Sequence, residues 1–242
     1  MIEKIRGILL KTIRHNDRSN IVTLFTRQKG CVSFISSAGS STKSGRMRNA
    51  ILSPLAIIDA DVNFLAGRDL QLLGKVATPH PWRNIYFDPM RGALALFIAD
   101  FLNSLLKSRE PDPDMWDFLA HSLYILDTTH SGLPNFHITF LIRLLHFAGI
   151  EPDIPSYIPG SWFDLREGGF SQLRPLHPDL IPPQEAKAIP FLARMNYRTM
   201  PLFRLNGLSR RRLLSLLMRY YAIHLPVKES LPSIQVLQEL FA

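Results

Sequence analysis

The chain has 242 residues, 46% of them hydrophobic, so it can build at least one sizeable core and is not a disordered protein. Lys and Arg outnumber Asp and Glu by 28 to 20, which favours a polyanionic partner such as nucleic acid or an anionic membrane surface. A single cysteine, Cys31, excludes an internal disulfide framework and any zinc site built from several thiolates, and it fits a reducing cytoplasm. No apolar stretch is long enough for a signal peptide or a membrane span, so we expect a soluble protein.

The first third of the chain predicts β-structure. Its apolar residues come in short runs rich in β-branched and aromatic types, separated by turn residues. The five runs are EKIRGILLKTI, IVTLF, CVSFIS, PLAIIDADVNF and LQLLGKVAT. Five short strands in about 80 residues fit a closed barrel better than an open sheet with exposed edges. We therefore expect an oligonucleotide-binding type of barrel over residues 1–80.

The pattern changes to helical periodicity after residue 80. In DPMRGALALFIADFLNSLLKS, Asp88 is a suitable N-cap and Pro89 a suitable first helical residue. Two further helices are predicted in PDMWDFLAHSLYILDT and in NFHITFLIRLLHFAG, which ends at Gly149. The predicted fold class is α+β, with a helical domain over residues 81–242.

The rest of the helical part is less regular. Residues 151–183 contain seven prolines and no helical period, which predicts an irregular loop module. Helices are expected again in PQEAKAIPFLARM, which Pro190 interrupts, in SRRRLLSLLMRYYAIHL after an N-cap at Ser209, and in SIQVLQELF.

Known catalytic patterns do not fit. Ser40 and Lys43 have a serine-x-x-lysine spacing, but they lie in a predicted loop, and GSSTKSG lacks the order of a phosphate loop. The eight histidines show no paired metal spacing. Asp59 and Asp61 share a strand face and are candidates to hold Mg²⁺ in a nuclease, although an exposed strand face explains them equally well. We expect no catalytic residue, no metal and no cofactor.

Positive charge is concentrated in the predicted barrel. Residues 1–80 hold 12 Lys and Arg against 5 Asp and Glu, a net charge of +7, whereas residues 81–242 hold 16 against 15. A cationic track that takes phosphates, with aromatics such as Phe25, Phe34 or Phe64 for bases, is typical of single-strand binding, although barrel aromatics are more often core. The predicted DNA-binding residues are Lys4, Arg6, Lys11, Arg14, Arg18, Arg27, Lys29, Lys43, Arg46, Arg48 and Arg68.

A second basic feature lies in the helical part. Arg210, Arg211 and Arg212 follow the predicted cap, where cations oppose the helix dipole by a few tenths of a kcal/mol each. This departure from a local rule indicates an anionic partner, and three solvated arginines are the competing interpretation.

The residues resemble a known family. GILLKTIRHNDRSNIVTLFT, KGCVSFISSAGSSTKS, GRDLQLL, FDLREGGF and SRRRLLSLLMRYYAIHL together are similar to the RecO family of bacterial recombination and DNA-repair mediators, in a version like that of Bacteroidetes. The resemblance covers essentially the whole chain. It implies an N-terminal oligonucleotide-binding barrel, a helical C-terminal domain and no enzymatic turnover.

The resemblance also implies partners. The family binds single- and double-stranded DNA, anneals complementary strands, contacts single-strand-binding protein and works with RecR to help RecA load. A receptor for the acidic, apolar-ended tail of single-strand-binding protein needs an apolar groove flanked by cations. We expect it at Arg143, beside Phe140 and Leu144, or at residues 210–212.

Two expectations complete the sequence-based interpretation. Many family members carry a four-cysteine zinc module, but the stretch YIPGSWFDLREGGFSQL contains no cysteine, so Trp162, Phe163 and Phe170 are expected to hold this segment by packing. The alternative function is a basic adaptor whose barrel binds RNA or a protein partner instead of DNA.

Overall fold

The computed structural model describes residues 2–37, 52–65, 67–107 and 109–240. Their contacts group into two compact units. The first unit comprises Met1–Thr128 with Ser233–Leu237, and the second comprises Thr129–Pro232 with Gln238–Ala242. The sequence predicts a domain boundary at residue 80, and the change from strands to helices lies there, between Ala77 and Pro89. That residue 80 separates two folding domains stays a prediction.

A five-stranded closed barrel forms the N-terminal part of the first unit, as the sequence predicts. The strand order is β1-β2-β3-β5-β4, and β3 and β5 form its parallel pair, with Ser33 opposite Leu70. Inward-facing side chains fill the barrel because residues alternate across each strand, and Ile5, Leu9 and Leu24 are at most 2% exposed. The strands are β1 (Ile2–Asn16), β2 (Ser19–Thr26), β3 (Gly30–Ser37), β4 (Ile57–Asn63) and β5 (Leu70–Ala77).

Two helices follow the barrel in the first unit, α1 (Pro89–Leu105) and α2 (Pro113–Thr128). The predicted cap of α1 is confirmed, since the Asp88 carboxylate accepts hydrogen bonds from the backbone N–H groups of Met90 and Arg91. The predicted apolar face is buried, because Leu94, Phe97 and Phe101 have no exposed surface. At the barrel, the N–H of Cys31 donates to the carbonyl of Arg109 at 2.9 Å, which joins β3 to the segment between α1 and α2.

The second unit is helical with a small sheet. Its first helix, α3 (Phe136–Ala148), ends as predicted at Gly149, which has a φ of 75°. The long helix after it, α6 (Gly207–His224), packs against α3, and the Tyr221 hydroxyl donates to the Leu141 carbonyl at 2.8 Å. The other helices of this unit are α4 (Pro183–Ala186) and α5 (Ile189–Leu192), and the helix α7 (Pro232–Leu240) is divided between the units, with Ser233–Leu237 in the first.

The irregular segment is more ordered than the sequence predicts. Three short antiparallel strands form a sheet in the order β7-β6-β8, with β6 (Trp162–Asp164), β7 (Gly169–Ser171) and β8 (Leu180–Ile181). Phe163 and Phe170 pack edge to face at 4.9 Å between ring centroids, whereas the Trp162 ring lies under the Arg174 guanidinium at 5.5 Å. Ion pairs add to this packing, since Asp179 binds both Arg166 and Arg219.

Two local predictions in the second unit are resolved by the structure. Pro190 does interrupt the helical stretch, which forms two four-residue helices, α4 and α5. The prediction of an N-cap at Ser209 is wrong. The N-cap is Asn206, whose side chain accepts a hydrogen bond from the Ser209 N–H, and α6 begins at Gly207. No helix in the described ranges combines the length and apolarity that a bilayer crossing requires.

Candidate nucleic-acid interface

The β1–β2 hairpin projects from the barrel core. In the first part of β1, Ile5 and residues 7–10 are buried while Ile2, Lys4 and Arg6 are exposed, whereas from Lys11 to Asn16 every residue is exposed. A register shift between Leu9 and Lys11 marks this change, since a bulge bends a strand and alters the face it presents. The turn at the tip is fixed by Asn16, whose side-chain oxygen accepts from the Arg18 N–H at 2.9 Å. The β1 side of the hairpin is therefore an exposed arm, whereas on β2 residues 19–21 are half-buried and Val22 is buried.

This arm carries three of the predicted DNA-binding cations. Arg14 pairs with Asp17 at 2.7 Å, but both side chains are largely in water, so the pair is weak and open to exchange. Lys11 and Arg18 have no ion-pair partner among the described residues. Their charges are available to phosphates.

A second group of the predicted cations is engaged by carboxylates. Arg6 binds Asp59 in a bidentate pair with distances of 2.6 and 2.8 Å between strands β1 and β4. Hydrogen bonding from Arg6 holds the pKa of Asp59 below its ordinary value, and the same bond raises the pKa of Arg6. Arg27 likewise holds Asp117 of α2 at 3.1 and 2.9 Å, and it lowers the pKa of that carboxyl.

Lys29 belongs to the same group, because its ammonium lies 3.0 Å from a carboxylate oxygen of Glu3. It also lies 5.1 Å from the centre of the Phe64 ring. Phe64 is partly buried against Phe34. Phe25 and Phe34 are not available to bases, because both rings have no exposed surface and fill the core, as barrel aromatics more often do. Phe64 alone of the three reaches the surface.

Two of the paired cations, Arg6 and Arg27, border a cleft of about 650 Å³ on the outer face of the barrel. Lys4 and Lys75 enter it from β1 and β5, and Asp61 lies on β4 between these strands. Trp116 of α2 also lines the cleft, and its buried Nε1 has no acceptor among the described residues. Because carboxylates and cations alternate here, the cleft offers a strand less net charge than the arm does.

The other predicted residues have separate positions. Arg68 is exposed in the β4–β5 turn, where its carbonyl accepts from the Gln71 side chain at 2.6 Å. The predicted cations Lys43, Arg46 and Arg48 lie outside the described residues. Asp59 does not support a Mg²⁺ site, since Arg6 occupies both of its oxygens. The described part of the chain contains no group of three or more His, Cys, Asp or Glu able to hold a metal ion.

An apolar groove of about 140 Å³ lies within the second unit. Arg143 lines it, but its neighbours there are Ile142 and Leu145, because Phe140 and Leu144 face the core with no exposed surface. The groove brings together the side chains of Ile142, Leu145, Ile154, Phe163, Leu165, Ile181, Ile189, Leu192, Leu213, Leu216 and Leu217. Sequence reasoning placed Arg143 at an apolar groove but missed the other walls, because the groove is built from six separate segments of the chain.

The arginine triplet does not act as one cluster. The Arg210 guanidinium donates to the Leu205 carbonyl, and burial lowers its pKa. Arg212 pairs with Glu185 of α4 at 2.5 Å. Arg211 is exposed, and the structure gives it no ion pair within the described ranges. None of the three lines the groove.

Barrel, basic arm and helical region together define a protein of the oligonucleotide-binding-barrel class with a helical C-terminal part. Two family models match the sequence. Recombination protein O N terminal covers residues 1–81, and Recombination protein O C terminal covers residues 86–232. The chain belongs to the RecO family of DNA repair proteins.

Curated relatives agree with this assignment. The chain is 36% identical over 242 residues to the DNA repair protein RecO of Phocaeicola vulgatus and to that of Bacteroides fragilis. It is 34% identical over 245 residues to the DNA repair protein RecO of Porphyromonas gingivalis. Each alignment covers 100% of both chains. The fold class and the resemblance expected from the sequence are confirmed.

Proposed function

We propose that this protein is a non-enzymatic recombination mediator of the cytoplasm. It binds single- and double-stranded DNA, anneals complementary strands and acts with RecR to help RecA load onto DNA covered by single-strand-binding protein. The observation that carries the proposal is the β1–β2 arm, whose Lys11, Arg14 and Arg18 are exposed, and Lys11 and Arg18 have no ion-pair partner among the described residues. Family membership supports the same function.

The arm supplies a physical route to annealing. Each phosphate that a cation neutralises releases condensed counterions, so binding is favourable at low salt and largely indifferent to base sequence. Two strands held on one cationic surface repel each other less and meet at a higher local concentration. No covalent step is needed.

The arm is tested by replacing its unpaired cations. We expect Lys11→Ala/Arg18→Ala to weaken single-stranded DNA binding and to make the slope of log K against log salt shallower by about 1.4, since each lost phosphate contact contributes about 0.7. Anisotropy titrations of a labelled oligonucleotide over a range of salt measure this slope. A matched control is Arg194→Ala/Arg198→Ala, which removes the same charge from exposed positions of the second unit.

Two outcomes would contradict this part of the proposal. An unchanged slope in the arm variant removes the arm from the interface, and equal losses in both double variants reduce its role to net charge. Preference for RNA over DNA of matched length would favour the adaptor function instead.

For the partner tail, we propose the apolar groove of the second unit as the receptor. Its aliphatic walls suit the apolar end of the tail, and Arg143 suits an acidic group beside it. We expect Arg143→Glu to weaken binding of an acidic tail peptide at least tenfold, and Arg211→Glu to leave it unchanged. Titration calorimetry measures both, and the reverse result would move the receptor to the triplet.

A further inference from the structure

The turn at residues 83–88, named here the linker turn, joins the barrel to α1. Its backbone is fixed by one buried carboxylate, since Asp127 of α2 accepts from the N–H groups of Arg83, Asn84 and Ile85 at 3.1, 2.8 and 2.9 Å. The Asn84 side chain donates in return to the Asp127 carbonyl at 2.7 Å. A turn held by four hydrogen bonds to one residue has little freedom to rearrange.

The side chains of Trp82, Ile85 and Tyr86 also fix the position of the linker turn. The Trp82 indole N–H donates to the Leu55 carbonyl at 2.9 Å, and Ile85 is completely buried. The Tyr86 hydroxyl donates to the Pro54 carbonyl at 3.2 Å. The linker turn is therefore fastened to the barrel side as well as to α2.

Phe87 extends from this fixed turn into solvent. It is 81% exposed, more than any other aromatic side chain of the described residues. Its N–H donates to the Asn84 carbonyl at 3.0 Å, so its backbone position is defined while its ring is free. A single exposed apolar residue is ordinary on a protein surface, but this one extends from a backbone that hydrogen bonds hold in place.

Along the linker turn Phe87 is flanked by Tyr86, which is 41% exposed, and by Asp88. Arg83 and Asn84 are exposed, and Arg83 has no ion-pair partner within the described ranges. A protein-docking hot spot is normally set in a wider apolar patch that excludes water, whereas base stacking needs one accessible ring face and a nearby cation. The arrangement of ring and cation on one turn favours a nucleic-acid ligand.

We propose that Phe87 is a stacking platform for an unpaired base and that Arg83 contacts a phosphate of the same strand. This inference rests on the proposed DNA-binding function and extends the interface from the barrel to the linker turn. Every base has a flat face, so the contact is indifferent to sequence, and it requires a strand whose bases are not paired. It gives the protein a preference for single-stranded over duplex DNA.

The test compares Phe87→Ala with Tyr124→Ala, which removes a 58% exposed aromatic side chain from α2 in the same unit. We expect Phe87→Ala to weaken single-stranded oligothymidylate binding roughly 5- to 150-fold, the range for loss of one stacked base, and Tyr124→Ala to have no effect. Duplex binding should be unchanged in both. Thermal unfolding of each variant checks that the fold is retained.

A second measurement separates stacking from simple apolar contact. An oligonucleotide that contains 2-aminopurine should lose fluorescence on binding to wild type and to Phe87→Trp, but not on binding to Phe87→Leu. Arg83→Gln should make the salt slope shallower by about 0.7.

The possible failures are distinguishable. If wild type binds single-stranded DNA and Phe87→Ala binds equally well, the platform is refuted while the proposed function stands. If wild type itself binds no DNA in dilute buffer, the proposed function fails. If Phe87→Ala loses a protein partner while its DNA affinity is retained, the ring is a protein contact and the inference is overturned.

Discussion

Replacement of Asp127 by Asn tests the contact that holds the linker turn. The carboxylate uses Oδ1 for the N–H groups of Asn84 and Ile85 and Oδ2 for the N–H of Arg83, and the residue is 5% exposed. An amide of the same shape retains one acceptor oxygen. Its other atom is an NH₂ donor, which would face either the N–H of Arg83 or the two remaining N–H groups.

The cost follows from the number of bonds changed. Hydrogen bonds to a charged acceptor contribute about 1.5–3 kcal/mol each, and neutral ones about 1 kcal/mol. Loss of one bond, with weakening of two others by about 0.5–2 kcal/mol each, predicts a decrease of about 2.5–7 kcal/mol in the free energy of unfolding. For a folding unit of this size that lowers the midpoint temperature by at least roughly 10 °C.

Calorimetry and urea denaturation measure this effect, and Asp69→Asn is the control because Asp69 is exposed in the β4–β5 turn. The reasoning is refuted if Asp127→Asn is as stable as this control within about 0.5 kcal/mol. A normal fold with reduced oligonucleotide affinity would in addition link the turn to the stacking platform.

Two more predictions concern stability. Burial lowers the pKa of His137 to about 3, so the folded state resists protonation of this side chain. The contribution of the neutral imidazole to the free energy of unfolding should be complete above about pH 6.5 and should fall by about 1.4 kcal/mol per pH unit as the pH decreases toward 3. The variant His137→Phe should lack this loss when denaturation is measured as a function of pH. Gly30 has a φ of 67°, and a Cβ there would lie 2.2 Å from the Arg109 carbonyl oxygen, so Gly30→Ala should lower the free energy of unfolding by about 3 kcal/mol or more. Gly67→Ala, also at positive φ but with no described atom within 4 Å, should lower it by about 1–2 kcal/mol, and equal losses at the two sites would contradict the steric argument.

The barrel and the main helices were predictable because their signals are local. Alternation within each strand and the N-cap at Asp88 depend on residues close in sequence, and the structure has both. The strands β6 to β8 were not found because two or three residues show no period. The cap of α6 was misplaced because Asn206 and Ser209 are both good N-cap types, and only the backbone selects between them.

The candidate interface was less predictable for an electrostatic reason. Composition counts Arg6 and Arg27 as available cations, but their partners, Asp59 and Asp117, are 53 and 90 residues away along the chain. Only the fold brings these charges together. The sequence therefore predicted an excess of positive charge in the barrel, but it did not distinguish the arm, where Lys11 and Arg18 have no ion-pair partner within the described ranges, from the cleft.

The parallel seam of the barrel has a consequence for folding. The seam pairs Ser33 with Leu70, Phe34 with Gln71 and Ile35 with Leu72, whereas β1 and β2 pair along eight positions. Closing this seam joins segments that are distant along the chain, which costs loop-closure entropy, and only a few hydrogen bonds form in return. We expect the barrel to close last and to open first between β3 and β5. The amide protons of β5 should then exchange with deuterium before those that pair β1 with β2.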